Sequence, residues 1–269
     1  MPGPAAATVS RFGAVEDDQR YTRLVEVFAD DAVYYDPLFG PQRGKDAIHA
    51  FMTHMEEVVP ASGARFASWE AFGDDDCGFA RWDMVAPGAD GVEVAVPGQS
   101  LYRLRDGLVT GVVDYFDPQV YRRLRGEDAP RPNFVDAGGA LRDDAATGGP
   151  ALELVRRFWE IQDSGRYTDL VELFADDAVF TDVNIGRMEG RDEIADFMAR
   201  METEMPGRGI TFELVDAAGD ETVAWSQWTC RYADGGSFPG WTLHTVRDGR
   251  FTLDADHYDT VLAAELRNR

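Results

Sequence analysis

The strongest constraint on this chain is an internal repeat. Residues 20–33 read RYTRLVEVFADDAV and residues 166–179 read RYTDLVELFADDAV, so 12 of 14 positions agree at a spacing of 146 residues. Further along, the Arg-Asp-Gly of 105–107 returns at 247–249, a spacing of 142. The difference of four residues indicates one short deletion, which we place in the hairpin around 84–97. The repeat predicts two copies of one small domain fused head to tail.

The length of the chain agrees with this division. Its 269 residues suit two domains, because single domains cluster near roughly 100–150 residues. We expect a first domain over 1–125, a linker over 126–150 and a second domain over 151–269. The linker segment is rich in Pro, Gly, Ala and Asp, a composition typical of connections. It is long enough for the copies to pack side by side as an internal pseudo-dimer.

Hydrophobic periodicity predicts the same order of elements in each copy, helices first and then strands. In the first copy we expect helices at 9–18, 22–28 and from 46 to about 60, a strand at 32–36, and strands near 65–72, 77–86, 92–104 and 108–116. In the second copy we expect helices at 151–163, 168–174 and 192–204, a strand at 178–182, and strands near 210–217, 222–232, 237–246 and 250–258. This pattern predicts an α+β fold in each copy.

Charge and composition exclude several classes of partner. The net charge of −23 argues against nucleic acids, which bind basic surfaces, and against anionic membrane surfaces. No stretch approaches the roughly 18 apolar residues of a spanning helix, and the first residues contain no apolar targeting segment. We therefore expect a cytoplasmic protein whose partner is a small molecule.

Metal and cofactor motifs are not evident in the sequence. The two cysteines, Cys77 and Cys230, occupy different places in the repeats, and the four histidines are scattered. We find no glycine-rich phosphate loop and no nucleophile elbow. The sequence therefore predicts no bound metal and no cofactor.

Residues 28–52, FADDAVYYDPLFGPQRGKDAIHAFM, resemble a segment of the ketosteroid isomerases, in which a strand leads to an Asp-Pro pair and then to a helix. The resemblance implies a cone-shaped domain, with about three helices packed in a curved antiparallel sheet that encloses a pocket. It also implies that the aspartate of that pair, here Asp36, moves a proton next to a carbonyl group. The equivalent residue of the second copy is Asp182.

The closing strand of each copy resembles a different branch of the same superfamily, the SnoaL-like polyketide cyclases. The strings Asp-Tyr-Phe-Asp at 114–117 and Asp-His-Tyr-Asp at 256–259 are similar to the close of those domains. The resemblance implies that Asp114 and Asp256 are acid/base groups for ring closure. The position that carries a histidine in those cyclases holds Ser100 in the first copy and Thr242 in the second.

Strand alternation extends this set of residues, because every second side chain faces the same way. If Asp256 faces a cavity then so does Tyr258, and His244 shares a face with Thr242. The predicted acid/base residues are Asp36, Asp114, Asp182, His244 and Asp256. The predicted substrate-binding residues are Ser100, Tyr102, Phe116, Trp225, Trp228, Trp241, Thr242 and Tyr258.

These observations predict a cofactor-independent acid/base enzyme of cyclase, isomerase or dehydratase type, acting on a mostly apolar, polyketide-like small molecule. Two alternatives remain open: a binding protein for a hydrophobic ligand, and an interaction adaptor with vestigial pockets. Of the two copies, we favour the second for chemistry, because His244 and Tyr258 replace Tyr102 and Phe116 of the first.

Overall fold

The structure, a computed structural model, describes residues 3–88, 91–126, 130, 132–134 and 148–268. The chain divides into two compact units, Met1–Asp144 and Ala145–Arg269, so the division falls inside the predicted linker. Most of the predicted linker lies outside the described residues. Two of its residues that are described, Asn133 and Phe134, contact the first unit: the Asn133 carbonyl accepts a hydrogen bond from Tyr35, and Phe134 packs on Tyr115.

Among its described residues, the first unit contains three helices, one 3-10 helix and six strands. In chain order they are α1 (Pro4–Asp18), a 3-10 helix (Tyr21–Val27), β1 (Phe28–Asp36), β2 (Gly40–Arg43), α2 (Lys45–Ser62), β3 (Arg65–Gly73), β4 (Cys77–Pro87), β5 (Glu93–Arg105), β6 (Leu108–Phe116) and α3 (Pro118–Arg125).

The second unit repeats this order. Its elements are α4 (Pro150–Asp163), a 3-10 helix (Tyr167–Leu173), β7 (Phe174–Asp182), β8 (Gly186–Glu189), α5 (Gly190–Arg208), β9 (Thr211–Gly219), β10 (Val223–Arg231), β11 (Ser237–Arg247), β12 (Arg250–Tyr258) and α6 (Thr260–Arg267). The predicted α+β architecture in two tandem copies is confirmed.

Each unit has one six-stranded sheet, ordered β2-β1-β6-β5-β4-β3 in the first unit and β8-β7-β12-β11-β10-β9 in the second. The prediction of a purely antiparallel sheet is wrong at one place, because β1 runs parallel to β6 and β7 runs parallel to β12. Between β1 and β6 the chain runs through β2, α2 and the strands β3–β5. This long connection returns the chain in the same direction, as a parallel pair requires.

One face of each sheet packs on the helices. In α2 the residues Ile48, Phe51, Met52 and Val59 are buried at helical spacing and meet the inner face of the sheet. The second unit has its own core, in which Ile194, Phe197 and Met198 of α5 take the corresponding places. Each unit therefore buries a separate apolar core.

Two short helices, α3 and α6, were not predicted from the sequence. Asp117 caps α3 by accepting hydrogen bonds from two backbone amides at its start, and Asp259 caps α6 in the same way through one amide. These aspartates directly follow the closing strands, so in each repeat the second aspartate of the strings at 114–117 and 256–259 starts a helix. Among the described residues, no helix is long and apolar enough to span a membrane.

Candidate functional site

In the described part of each unit, a cavity lies between the helices and the inner face of the sheet. The first cavity, in the first unit, has a volume of about 280 Å³. Asp36 at the end of β1 and Asp114 on β6 both line it. Most of the remaining wall is apolar, from residues such as Phe12, Phe51, Met55, Phe66, Trp82 and Phe116.

The second cavity, in the second unit, has a volume of about 350 Å³. Asp182 at the end of β7 and Asp256 on β12 line it, and the two residues are register partners in the parallel strand pair. Thr242, Trp228 and Tyr258 also line the wall, as do three arginines: Arg200, Arg208 and Arg267.

In the first cavity the two carboxylates have different hydrogen-bond partners. Asp114 accepts a bond from the Ser100 hydroxyl at 2.6 Å and another from the Tyr34 hydroxyl at 2.5 Å, one on each oxygen. The Ser100 hydroxyl in turn accepts a bond from the indole nitrogen of Trp82 at 2.9 Å. Asp36 accepts bonds at one oxygen from the backbone amides of Leu38 and Phe39, at 2.7 and 3.1 Å.

Burial raises the pKa of both aspartates in the first cavity. For Asp36, burial outweighs the two amide bonds and raises the pKa from 3.8 to about 6. For Asp114, burial and then the nearby charge of Asp36 raise the pKa to about 7, against the bonds from Ser100 and Tyr34. Both groups therefore exchange protons near neutral pH, where acid/base catalysis is most effective.

The second cavity holds an equivalent pair with a different set of donors. Asp256 accepts a bond from the Thr242 hydroxyl at 2.5 Å, and Thr242 accepts one from the Trp228 indole at 2.8 Å. Asp182 accepts bonds from the amides of Asn184 and Ile185 at 2.7 and 2.9 Å. It also accepts a bond from the hydroxyl of Tyr258 at 2.9 Å.

Burial again raises the pKa of the carboxyl groups. The pKa of Asp256 lies well above its usual value because the group is buried and because the charges of Asp254 and Asp182 oppose its ionisation. Burial raises the pKa of Asp182 as well, whereas the bonds from Asn184, Ile185 and Tyr258 favour its charged form. Hydrogen bonds from three groups oppose the rise at Asp182, whereas one bond, from Thr242, opposes it at Asp256.

Two predicted substrate-binding residues, Trp225 and Trp241, lie on the other face of the sheet. Trp225 and Trp228 are three residues apart on one strand, so alternation points them in opposite directions, and only Trp228 lines the cavity. Trp241 is adjacent to Thr242 and faces away for the same reason. Nearness in sequence to the cavity residues was a misleading signal for both tryptophans.

His244 is on the predicted face but does not line the cavity. It is fully buried, two residues beyond Thr242 on β11, and packs against Phe158 and Phe251. Tyr102, its equivalent in the first unit, is buried in the same way, with its ring 4.9 Å from that of Phe12. Ser100 lies behind the carboxylate of Asp114, so it contacts the acid rather than the open space.

The structure adds three residues that the sequence analysis missed. Tyr34 lines the first cavity and bonds to Asp114, and Asn184 donates to the hydroxyl of Tyr258 at 2.9 Å. Asp254, buried beside Asp256, bonds to His244 at 3.0 Å. Alternation would have found Tyr34 and Asp254, since each is two residues from a predicted aspartate on the same strand.

Paired carboxyl groups of raised pKa in an apolar enclosure can move protons on a bound organic molecule. Within the described part of the chain, no group of three His, Cys, Asp or Glu side chains could hold a metal ion. The fold and the site thus define a class: cone-shaped α+β domains with an acidic pocket between helices and a curved sheet.

The family model of the SnoaL-like domain matches residues 9–112 and 155–253. The chain belongs to the SnoaL-like domain family, with one domain in each unit. A comparison with curated proteins gave no match.

Several solved structures are similar to parts of the chain. An NTF2-like protein of unknown function from Mesorhizobium loti is 25% identical, with 41% of this chain and 91% of that chain covered and a TM-score of 0.37. A putative polyketide cyclase from Xanthomonas campestris is 24% identical, with coverage of 41% and 90% and a TM-score of 0.34. A putative ketosteroid isomerase from Kribbella flavida is 19% identical, with coverage of 40% and 77% and a TM-score of 0.35.

Proposed function

We propose that the protein is an acid/base enzyme of cyclase, isomerase or dehydratase type that acts on a mostly apolar small molecule bearing a carbonyl or epoxide group, such as a polyketide intermediate. The observation that carries this proposal is the pair of buried carboxyl groups of raised pKa in each apolar cavity. The side chains of the cavity suffice for proton transfer, so the proposal invokes no cofactor.

The second cavity is our first choice for the chemistry. Asp256 would be the acid/base group: its carboxyl group, whose pKa burial raises, would move a proton at the carbonyl- or epoxide-bearing part of the substrate. Asp182, whose charged form three hydrogen bonds favour, would assist by fixing the shape of the pocket beside it. The aromatic and methionine walls would hold the substrate in a folded conformation and exclude water, which favours ring closure.

A non-catalytic carrier of hydrophobic ligands is the second candidate. It is favoured by the mostly apolar lining of both cavities. A carrier needs volume and an apolar surface, whereas an enzyme also needs two groups that exchange protons. Cavities of about 280 and 350 Å³ can hold small molecules, which supports either function over that of an adaptor with filled pockets.

Deuterium exchange tests the proposal without knowledge of the natural substrate. Cyclic ketones and polycyclic β-keto esters are incubated with the protein in D₂O, and mass spectrometry measures deuterium uptake at the carbon beside the carbonyl. We expect catalysed exchange, and the part of it that the second cavity contributes should fall by about 10²–10⁴-fold in Asp256→Asn. We expect a smaller loss from Asp114→Asn, because the second cavity is the preferred site.

The matched control is Asp177→Asn, which changes an exposed aspartate of the second unit that pairs with Arg247 outside the cavity. It should leave the exchange rate unchanged. If the ketones bind, as shown by protection against thermal unfolding, and none exchanges, the protein is a carrier. If Asp114→Asn alone abolishes exchange, the first unit is the enzyme.

A further inference from the structure

The two cavities differ in which strand supplies a tyrosine. In the first unit Tyr34 stands on the first strand, and its repeat equivalent in the second unit is Phe180. On the closing strands the exchange is reversed, because Phe116 of the first unit is replaced by Tyr258. All four rings line their cavities. Each cavity thus has a phenol at one of these two places and a phenyl ring at the other.

The position of the tyrosine decides which aspartate is fully hydrogen-bonded in the first unit. Tyr34 donates to one oxygen of Asp114 and Ser100 donates to the other, at 2.5 and 2.6 Å. Asp36 receives two amide bonds, both at Oδ1. Asp36 lines the cavity, and among the described residues no side chain donates a hydrogen bond to it, so its second oxygen is left open, that is, without a donor.

In the second unit the aspartate of the first strand, Asp182, has both oxygens hydrogen-bonded, and the aspartate of the closing strand, Asp256, has one open oxygen. Tyr258 donates to Asp182, with its hydroxyl 2.9 Å from Oδ1 and 3.2 Å from Oδ2. Asp256 has a single hydrogen-bond donor in the described part of the chain, Thr242, which bonds to Oδ1. The open oxygen is therefore on the closing strand here, and on the first strand in the other unit.

We propose that the two units use different aspartates as the reactive carboxyl group, Asp36 in the first unit and Asp256 in the second. The partner in each unit, Asp114 or Asp182, is bonded to the tyrosine and fixes the shape of the pocket. Hydrogen bonds to a carboxylate oxygen stabilise its charged form and make it a weaker base, whereas an open oxygen is free to react with a ligand. The chemistry of this assignment rests on the proposed function; the pattern of hydrogen bonds does not.

The proton transfer is the same in both units. The open carboxylate oxygen takes a proton from the carbon beside the carbonyl of the bound ligand, and the electron pair of that C–H bond forms the C=C bond of an enolate. The same carboxyl group then returns the proton to carbon, which restores the carbonyl compound or gives its isomer. No other reactant enters or leaves.

Different bases at equivalent cavities imply different sites of attack on the ligand. Asp36 begins the turn between β1 and β2, beside Leu38 and the exposed Phe39. Asp256 stands within β12, paired with Thr242 of β11. A ligand held in the same orientation would lose a proton from different carbons in the two units. The fused chain would then carry two activities on related carbonyl compounds rather than one activity twice.

Chemical labelling tests the assignment without a substrate. The whole protein is treated with a carbodiimide and a small amine, which convert accessible carboxyl groups to amides, and peptide mass spectrometry follows each cavity aspartate. We expect Asp36 to label at least several-fold faster than Asp114, and Asp256 several-fold faster than Asp182. Equal rates within a pair, or the reverse order, would overturn the proposal.

Moving the hydroxyl group provides the matched experiment. The double variant Tyr34→Phe with Phe116→Tyr gives the first unit the arrangement of the second, and we expect Asp114 to become the faster-labelled residue. The reciprocal variant, Phe180→Tyr with Tyr258→Phe, should make Asp182 the faster one. If the order of labelling does not follow the tyrosine, the tyrosine does not determine the reactive group and the proposal fails.

Deuterium exchange then separates this proposal from the proposed function. In a chain with Asp182→Asn and Asp256→Asn, the remaining exchange should fall about 10²-fold or more with Asp36→Asn and less than tenfold with Asp114→Asn. Absence of exchange in the unchanged protein counts against the proposed function, while the labelling order still decides which carboxyl group is reactive. Exchange that depends on Asp114 rather than Asp36 contradicts the assignment alone.

Discussion

At the scale of single residues, the second unit contains a buried polar chain that the first lacks. His244 is bonded to Asp254 at 3.0 Å through one ring nitrogen and to Ser226 at 3.0 Å through the other. The equivalent positions in the first unit hold Ala80, Tyr102 and Val112. The other oxygen of Asp254 has no hydrogen-bond partner among the described residues. Asp254 is two residues before Asp256 on β12, and its charge helps to raise the pKa of Asp256.

We predict that His244→Phe destabilises the protein by about 3–5 kcal/mol, because it leaves the carboxyl group of Asp254 buried without its partner. The double change His244→Phe with Asp254→Val removes both groups and introduces the residue type of Val112 of the first unit. It should be clearly less harmful than the single change. Urea unfolding measures both. If the double variant is less stable than the single one, the cost of an unpaired Asp254 does not explain the effect of His244→Phe, and the prediction is wrong.

The carboxyl groups of the first cavity predict a dependence of stability on pH. Burial raises the pKa of Asp36 to about 6 and that of Asp114 to about 7 in the folded protein. Between pH 4 and these values, roughly, the folded state retains protons that the unfolded chain has lost. The contribution of each group to the free energy of unfolding therefore decreases as pH rises through this range.

Asp114→Asn should remove this dependence for one group. We expect the variant to be more stable than the unchanged protein at pH 8, by roughly 2–4 kcal/mol, and to differ little at pH 4. The control is Asp31→Asn: the bond with Arg105 lowers the pKa of Asp31, so its contribution is lost as pH falls. Urea unfolding at the two pH values measures both variants. A shift of the same size at both values would contradict the prediction.

Sequence reasoning about side chains succeeded where it counted strand alternation and failed where it did not. Asp256, Tyr258 and Thr242 line one cavity, as counting in twos predicts. Trp225 and Trp241 were assigned to it because they are near in sequence, although they stand on the opposite face. The depth of His244 could not be predicted, because alternation gives the face of a residue and not its distance from the open end of the cavity.

At the scale of elements, a glycine on the third strand of each unit's meander, Gly98 on β5 and Gly240 on β11, makes room for a tryptophan. A Cβ atom at Gly240 would overlap the indole ring of Trp228, and one at Gly98 would overlap that of Trp82. Each indole donates to the hydroxyl that bonds to the closing-strand aspartate. The packing of glycine against tryptophan therefore helps to position the carboxyl group of Asp256 or Asp114, through two hydrogen bonds in series.

We predict that Gly240→Ala displaces the Trp228 ring, weakens its bond to Thr242 and destabilises the protein by about 1–3 kcal/mol. Exchange activity in the second cavity should fall with it. Gly207→Ala is the control, since nothing lies near its added Cβ atom in helix α5, and it should leave stability nearly unchanged. Urea unfolding and tryptophan fluorescence report the outcome. Equal effects of the two substitutions would show that the indole has room to move.

The order of most helices and strands followed from the sequence, but the short strands β2 and β8, the parallel strand pairs and the helices α3 and α6 did not. The pairing of β1 with β6 is parallel, and hydrophobic periodicity indicates which face of a strand is buried but not which strand lies beside it. Helices α3 and α6 have eight residues each, too few for a clear periodic pattern. Their capping aspartates were visible in the sequence, as Asp117 and Asp259, but were interpreted only as the ends of strands.

At the scale of the whole molecule, each unit has a complete sheet and a core of its own. We predict that residues 148–269, produced alone, fold with the β-rich circular dichroism of the described unit and unfold cooperatively in urea. A gradual transition, or a spectrum without strand signal, would show that the second unit depends on the first. The packing of the two copies as a pseudo-dimer stays a prediction from the repeat.

The different position of the tyrosine in the two units, on the first strand or on the closing strand, predicts a pattern in related sequences. If each pocket requires one such hydroxyl group, a lineage that loses it at the position of Tyr34 must gain it at the position of Phe116, and loss of both should be rare. In an alignment of SnoaL-like chains these two columns should therefore covary, although the residues are 82 apart in this sequence. Ancestral reconstruction of the gene before its duplication would then show which arrangement came first.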